Sequence, residues 1–273
     1  MRVITLCCYC GLLWALGCLS VCNVSLAGGK IDIVGGTYRL TGPGSTATGF
    51  IVLGAISERN NRQERFLVTA AHVLEQMQGE TATLVVGKRP PELQDKLQHT
   101  LKIRSGEKPL WVKHPQHDVA VLRLSANFPQ VTGIPLEQLA GPEVWKAQNW
   151  EPGDFLWSIG CPHAAQFDPD PRGYPLARLG CFAAPVEVPT AGNPTFLAEY
   201  NTSEGDSGGP VVAADTTQPR QVWVVGLVHG QHLLNEHYRL IYAEATARMR
   251  LGFAIVIGTP TILETLELAR RDR

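Results

Sequence analysis

The heptapeptide Glu204-Gly205-Asp206-Ser207-Gly208-Gly209-Pro210 is the densest chemical signal in the chain. Its glycines leave the Ser207 hydroxyl uncovered in a tight loop and free neighbouring backbone N–H groups to turn toward a ligand. An ordinary glycine-rich turn has no need of the whole heptapeptide. A serine hydroxyl is a poor nucleophile at neutral pH, and covalent catalysis through it needs a base to take its proton during attack. His72 offers that base. It ends Thr69-Ala70-Ala71-His72, directly after the apolar run Phe66-Leu67-Val68, and an imidazole changes charge near physiological pH. Asp118 opens the apolar run Val119-Ala120-Val121-Leu122; its carboxylate can accept the other ring N–H, fix the tautomer and stabilise the imidazolium that forms. Singly, the last two signals are weak. A histidine at a strand end is usually structural, and an aspartate before an apolar run usually ends a turn. The argument rests on the three together.

These groups come from distant stretches, so the elements between them must fold to bring them together. The candidate strands are short and rich in Val, Ile, Leu and Thr: Thr48–Ile56, Arg65–Ala71, Thr81–Gly87, His99–Ser105 and Val119–Leu124, then Phe155–Cys161, Ala177–Val188, Thr195–Tyr200, Pro210–Ala214, Gln221–His229, Arg239–Ala245 and Gly252–Ile257. Gly, Pro, Asn and Asp clusters bound many of them. Many short strands with few helices predict an all-β sandwich or barrels. Ser125–Gly153, with Pro129, Pro135, Pro142 and Pro152, divides the series and reads as the crossing between two β lobes. Thr259 and Pro260 form an N-cap and first-turn pair for a terminal helix, with Ile262, Leu266 and Ala269 on one face.

The order His72, Asp118, Ser207 and the three segments around them resemble the chymotrypsin-like (trypsin-like) serine protease superfamily. The resemblance covers nearly all of residues 33–270. It implies two six-stranded antiparallel β-barrels with a C-terminal α-helix: an N-terminal barrel over about 33–128, a linker over about 129–150 and a C-terminal barrel with the helix over about 151–273. Pro152-Gly153-Asp154, Ile159-Gly160-Cys161-Pro162 and Gly252-Phe253-Ala254-Ile255 are similar to the bacterial heat-stress branch. The PDZ modules usual in that branch have no place in this sequence. The implied activity is peptide hydrolysis through an acyl-enzyme, with backbone N–H groups of Gly205 and Ser207 as the oxyanion hole. Asp206 in the family lies beneath the loop and holds its shape. The pocket base falls near Asn201 and Thr202, opposite a wall of His229, Gly230 and Gln231. None of these is acidic, and Glu204 stands at the pocket mouth, so a medium apolar or uncharged polar side chain is expected there. Asn201-Thr202-Ser203 also matches a glycosylation sequon, but a pocket floor is the wrong place for a glycan. The rival class is a non-catalytic homologue serving as a binding module; such proteins usually lose a triad residue, and all three are present.

Ile33-Val34-Gly35-Gly36 resembles the family's freed N-terminus, whose amine pairs with the aspartate matching Asp206. The bond before it, Asp32-Ile33, does not follow a basic residue, and the run from Ile33 to Gly49 is short for the segment it would replace. An ordinary strand start is the favoured reading.

The remaining features bound the answer. With 24 Lys and Arg against 25 Asp and Glu, the net charge of -1 gives no footing for a nucleic-acid partner. Protein or peptide substrates are the expected partners, and the chemistry calls for no cofactor. Met1-Arg2, the apolar stretch Val3–Cys22 and the small-x-small end Ser25-Leu26-Ala27 form an export signal over residues 1–27, with cleavage expected after Ala27 and a domain over 28–273. The alternatives are a retained membrane anchor or lipid attachment at Cys18 or Cys22; a membrane partner follows only if the segment stays. All three export the domain, to the periplasm or the exterior. Of the 7 cysteines, only Cys161 and Cys181 lie beyond that segment, either as a disulfide pair or as two buried thiols. No metal site is expected: His229, His232 and His237 match no strong zinc spacing and read as loop histidines. His114 and His117 also read as loop residues, with His117 near enough to Asp118 to touch substrate. Asp168-Pro169-Asp170-Pro171 marks turns rather than a cation site.

Overall fold

The computed structural model describes residues 32–57, 62–87, 97–162, 173–218, 221–239 and 244–272. The export segment and the Asp168–Asp170 turns lie outside this set. The fold is all-β with a terminal helix, in the chymotrypsin-like arrangement of two lobes.

The first lobe holds β1 (Thr37–Gly42), β2 (Ser45–Ser57), β3 (Arg62–Thr69), β4 (Thr81–Val86), β5 (Leu97–Lys102), β8 (Val112–Lys113) and β9 (Ala120–Arg123), hydrogen-bonded in the order β5-β4-β1-β2-β3-β9-β8. The pair β6 (Arg104–Ser105) and β7 (Lys108–Pro109) stands beside this sheet. One helical turn and a half, α1 (Ala71–Gln76), follows β3. Gly44, with φ +86°, closes the tight β1–β2 hairpin in a conformation that a side chain would oppose. Phe66, Leu67 and Val68 of β3 are buried without exposure, as expected for an apolar run covered on both faces. The strand start expected at Ile33 is displaced: residues 33–36 form a turn and β1 begins at Thr37. All four of Thr37–Leu40 are buried, but only Tyr38 and Leu40 are apolar and the flanks are Gly-rich, so no apolar run marks the strand.

The crossing between lobes is structured. β10 (Ile134–Pro135) runs parallel to β2, a 3-10 turn spans Leu136–Gln138, and α2 (Pro142–Gln148) ends at Asn149 with φ 47°. Trp145 of α2 and Trp150 pack with Phe182 and Phe196 to fill the second lobe. That lobe is a closed barrel, β11-β12-β13-β16-β15-β14. Its strands are β11 (Phe155–Gly160), β12 (Leu176–Phe182), β13 (Thr195–Glu199), β14 (Pro210–Ala214), β15 (Val222–Arg239) and β16 (Glu244–Gly258). β15 and β16 outrun the strands expected from sequence. Over 231–237 and 246–251 they form a ladder whose residues are exposed or half-exposed, with no core face, so no apolar alternation marks them. The segment expected as a strand at Arg239–Ala245 falls at the tip of this hairpin, and 240–243 lie outside the described residues.

The terminal helix α3 (Thr259–Arg271) is capped by Gly258 rather than Thr259, with Pro260 in its first turn. Ile262, Leu266 and Ala269 are 0%, 1% and 3% exposed. They join a core that runs from β3 and β9 to Val224 and Leu227 of β15, so this cluster spans both lobes, while the second lobe keeps a separate core around Trp145 and Phe182.

The two cysteines do not pair. Cys181 lies opposite Phe155 at one end of the β11–β12 pair, and Cys161 follows Gly160 at the other. Six residues at ~3.3 Å each put them roughly 20 Å apart along the strands, far beyond disulfide reach. Burial pushes the Cys161 thiol up to about 12, which makes it inert.

Candidate active site

α1 positions the base. Ala70 and Ala71 are fully buried and Val73 and Leu74 nearly so, which anchors this turn and leaves His72 half-exposed between them. Asp118 comes from the β8–β9 loop. Its Oδ1 accepts the His72 backbone N–H at 2.7 Å and its Oδ2 lies 2.5 Å from His72 Nδ1. The backbone contact fixes the carboxylate's orientation, so the ring contact is not left to two free rotors. Burial acts to raise the Asp118 pKa, but hydrogen bonds from His229, His72 and the His72 backbone prevail and hold the carboxyl well below its ordinary range.

Ser207 sits in the loop before β14. Three features fix that loop. Gly208 N–H donates to Val228 O at 2.8 Å, and Val228 N–H returns a bond to Gly209 O at 2.9 Å. Thr48 of β2 reaches across from the first lobe: its N–H donates to Ser207 O at 3.0 Å and its hydroxyl to Gly205 O at 2.6 Å. Gly205 and Gly208 hold φ of +93° and +83°, a region that disfavours any side chain. At Gly208 a Cβ would also strike Thr69 Oγ1 and the Thr48 carbonyl. Ser207 and His72 line one cavity of about 510 Å³ together with Glu204, Gly205, Thr46 and Gln76.

Asp206 is fully buried beneath the loop. Its Oδ1 meets Arg178 Nη2 of β12 at 2.5 Å, and its Oδ2 accepts the Ser203 N–H at 2.6 Å and the Thr202 hydroxyl at 3.3 Å. Gly160 makes room for the carboxylate, since a Cβ there would lie 2.7 Å from Asp206 Oδ1. Ile33, the residue likened to a freed N-terminus, is buried in the first lobe's core and its carbonyl accepts the Thr37 hydroxyl. The cation beside Asp206 is therefore an internal arginine.

A family profile described as "Trypsin-like peptidase domain" matches residues 47–226, more than half of the chain and all three motif segments. The chain belongs to the trypsin-like peptidase family. No functionally curated protein matches it. Among solved structures, it is similar to "Neuropsin, a serine protease expressed in the limbic system of mouse brain", at 14% identity and TM-score 0.52, over 86% of this chain and 94% of that one. At that identity the likeness speaks for the fold.

Within this trypsin-like peptidase, the residues expected around the primary pocket take distinct places. Thr202 is buried against Asp206, the Asn201 carbonyl accepts Arg178 Nη1 at 3.0 Å, and Gly230 and Gln231 continue β15. His229 departs from the pocket-wall expectation: its Nδ1 lies 2.7 Å from Asp118 Oδ2. The backbone explains this. Val228 pairs with Val256 and Gly230 with Ile255, so His229 is the extra residue of a β-bulge, and bulges re-aim side chains. His114 is buried and bonds Glu264 of α3 at 3.2 Å, while stacking on His117. His117 Nε2 lies 3.1 Å from Ala191 O, and His237 bonds Thr246 across the exposed hairpin. Sequence reasoning missed Arg178, Thr48 and the turn of His229. No local motif marks any of them.

Proposed function

We propose that the chain is an exported serine endopeptidase in which Ser207 attacks the scissile carbonyl, His72 acts as general base and Asp118 orients the histidine. The observation that carries the reading is the 2.5 Å contact of His72 Nδ1 with Asp118 Oδ2, on a ring that shares a cavity with Ser207. With Nδ1 committed to the carboxylate, Nε2 is the nitrogen left to take the serine proton. The proton then passes to the leaving amine, the acyl-enzyme forms on Ser207 Oγ, and water repeats the sequence in reverse roles. The backbone N–H groups of Gly205 and Ser207 serve the developing oxyanion; one such donor is worth roughly 3 kcal/mol. The positive φ at Gly205 supports this role. Substrates are proteins or peptides, and residues 1–27 deliver the domain outside the cytoplasm.

The test is hydrolysis of a peptide library together with labelling by a fluorophosphonate. Wild type should cleave and carry one label at Ser207. Ser207→Ala should lose the label and fall on the order of 10⁶-fold in kcat. A protein that neither cleaves nor labels would be the binding-module homologue, and cleavage surviving Ser207→Ala would end the assignment. N-terminal sequencing of exported protein should begin at Gly28.

A further inference from the structure

The geometry points to a reversible inhibitory site for a zinc-like divalent cation formed by His72, Asp118 and His229 at the catalytic centre. Their ligating atoms, two imidazole nitrogens and one carboxylate oxygen, lie within 4.8 Å of one another. Both Nδ1 atoms face the same oxygen, Asp118 Oδ2, at 2.5 and 2.7 Å. Two imidazoles and a carboxylate suit zinc and its neighbours, whereas magnesium and calcium prefer all-oxygen shells. Three protein ligands leave one tetrahedral position for water.

Two features argue for a built arrangement. The His72 N–H holds Asp118 Oδ1 and thereby presents Oδ2 to both rings. The bulge at His229 turns a side chain from the second lobe onto an aspartate of the first, anchored on either side of the Ser207 loop by the Gly208–Val228 and Val228–Gly209 bonds. The three side chains are 30%, 19% and 39% exposed in the order His72, Asp118, His229, so an ion reaches them from solvent.

The consequence for catalysis rests on the proposed endopeptidase reading. A ligated Nδ1 carries no proton. In the bound state the His72 proton sits on Nε2, the nitrogen that must accept from Ser207, and Asp118 is drawn to the ion. The nucleophile loses its base without any change at Ser207, and a chelator restores it. On each ring the Nδ1–H bond is broken and an Nε2–H bond formed, by proton exchange with solvent, and the N–H···O contact to Asp118 is replaced by a metal–nitrogen bond; no other covalent bond changes.

The experiment measures zinc binding directly, by competition with a chromophoric chelator, alongside peptide hydrolysis. Three proteins are compared: wild type, His229→Asn and Ser207→Ala. Asparagine keeps a δ-nitrogen donor for Asp118, so the carboxylate stays held, but it removes the imidazole ligand. Wild type should bind one zinc and lose hydrolysis with the same midpoint. His229→Asn should bind at least tenfold more weakly and resist inhibition by the same factor, with an unchanged unfolding midpoint as the fold control. Ser207→Ala should bind zinc as wild type does, whatever becomes of hydrolysis. Absence of binding to wild type, or equal binding to His229→Asn, overturns the site; the latter assigns the ion to exposed histidines such as His237. A metal-free wild type that hydrolyses nothing yet binds zinc through His229 would sink the endopeptidase reading and leave the cation site standing.

Discussion

Asp118 presents two oxygens to three donors: the His72 backbone, His72 Nδ1 and His229 Nδ1. An amide has only one acceptor oxygen, so in Asp118→Asn an NH₂ must face an N–H, and the His72 tautomer is no longer fixed. We expect kcat to fall about 10⁴-fold with KM changed far less, measured on one peptide substrate at neutral pH. A loss under tenfold would take Asp118 out of the mechanism. The three motif residues were legible because each sits in a short, chemically distinctive segment. His229 was not, because its partner is 111 residues away and its direction is set by a one-residue mismatch in strand pairing, which leaves no trace in composition. Of the two readings open for Cys161 and Cys181, the disulfide fails for a related reason: residue type allowed it, and strand register forbids it.

At the scale of elements, the Ser207 loop rests on β12 beneath it and β2 beside it. Buried Asp206 needs a cation, and Arg178 supplies one from β12. Removing a single partner strands a charge, at a typical cost of about 3–5 kcal/mol. Arg178→Gln should therefore lower the unfolding midpoint and cut kcat, and Arg178→Gln combined with Asp206→Asn should recover much of the stability; equal instability of single and double variants would refute the coupling. Because the cation is internal, protein carrying residues ahead of Ile33 should hydrolyse as fast as protein beginning at Ile33. A large gain on trimming to Ile33 would show that the freed amine matters. A second junction joins α2 to the β14–β15 turn. Asp215 accepts from Thr217, Gln218, Trp223 and Gln148. Burial opposes ionisation there, but the hydrogen bonds from Thr217, Trp223 and the Gln218 backbone prevail and lower its pKa from 3.8 to about 2. A carboxyl lowered by folding stabilises the fold above its unfolded pKa and loses that contribution as pH falls through the folded one. The difference in unfolding midpoint between wild type and Asp215→Asn should thus be full near pH 5 and shrink between about pH 4 and 2. A difference that stays constant over that range would disconnect Asp215 from acid stability. The core strands were readable as apolar runs, yet these junctions were not, since they are hydrogen bonds between ordinary polar residues on separate elements.

At the scale of the molecule, the site exists only where two lobes meet. His72 and Asp118 belong to the first, Ser207 and His229 to the second, and Thr48 bridges them. α3 is the element that fastens both. It packs on β8 and β9, which flank Asp118, and on β15 and β16 of the closed barrel, and Glu264 reaches His114 at the base of the Asp118 loop. The sequence disclosed its apolar face, but only the fold shows that this face is shared between lobes. Leu266 is 1% exposed in that shared core, so Leu266→Ala should cost about 2–5 kcal/mol. Roughly 2–4 °C per kcal/mol applies to a chain of this size, which puts the midpoint down by about 4–20 °C. If α3 fixes the lobes relative to each other, kcat should also fall at temperatures where the variant is still folded, because Asp118 and Ser207 lie on opposite sides of the joint it closes. Glu264→Gln, which alters the tie to His114 from the exposed face of the helix, should change stability by under about 1 kcal/mol. A Leu266→Ala protein with a lowered midpoint and unchanged kcat would make α3 a stabiliser of the core alone, with no part in aligning the two halves of the site.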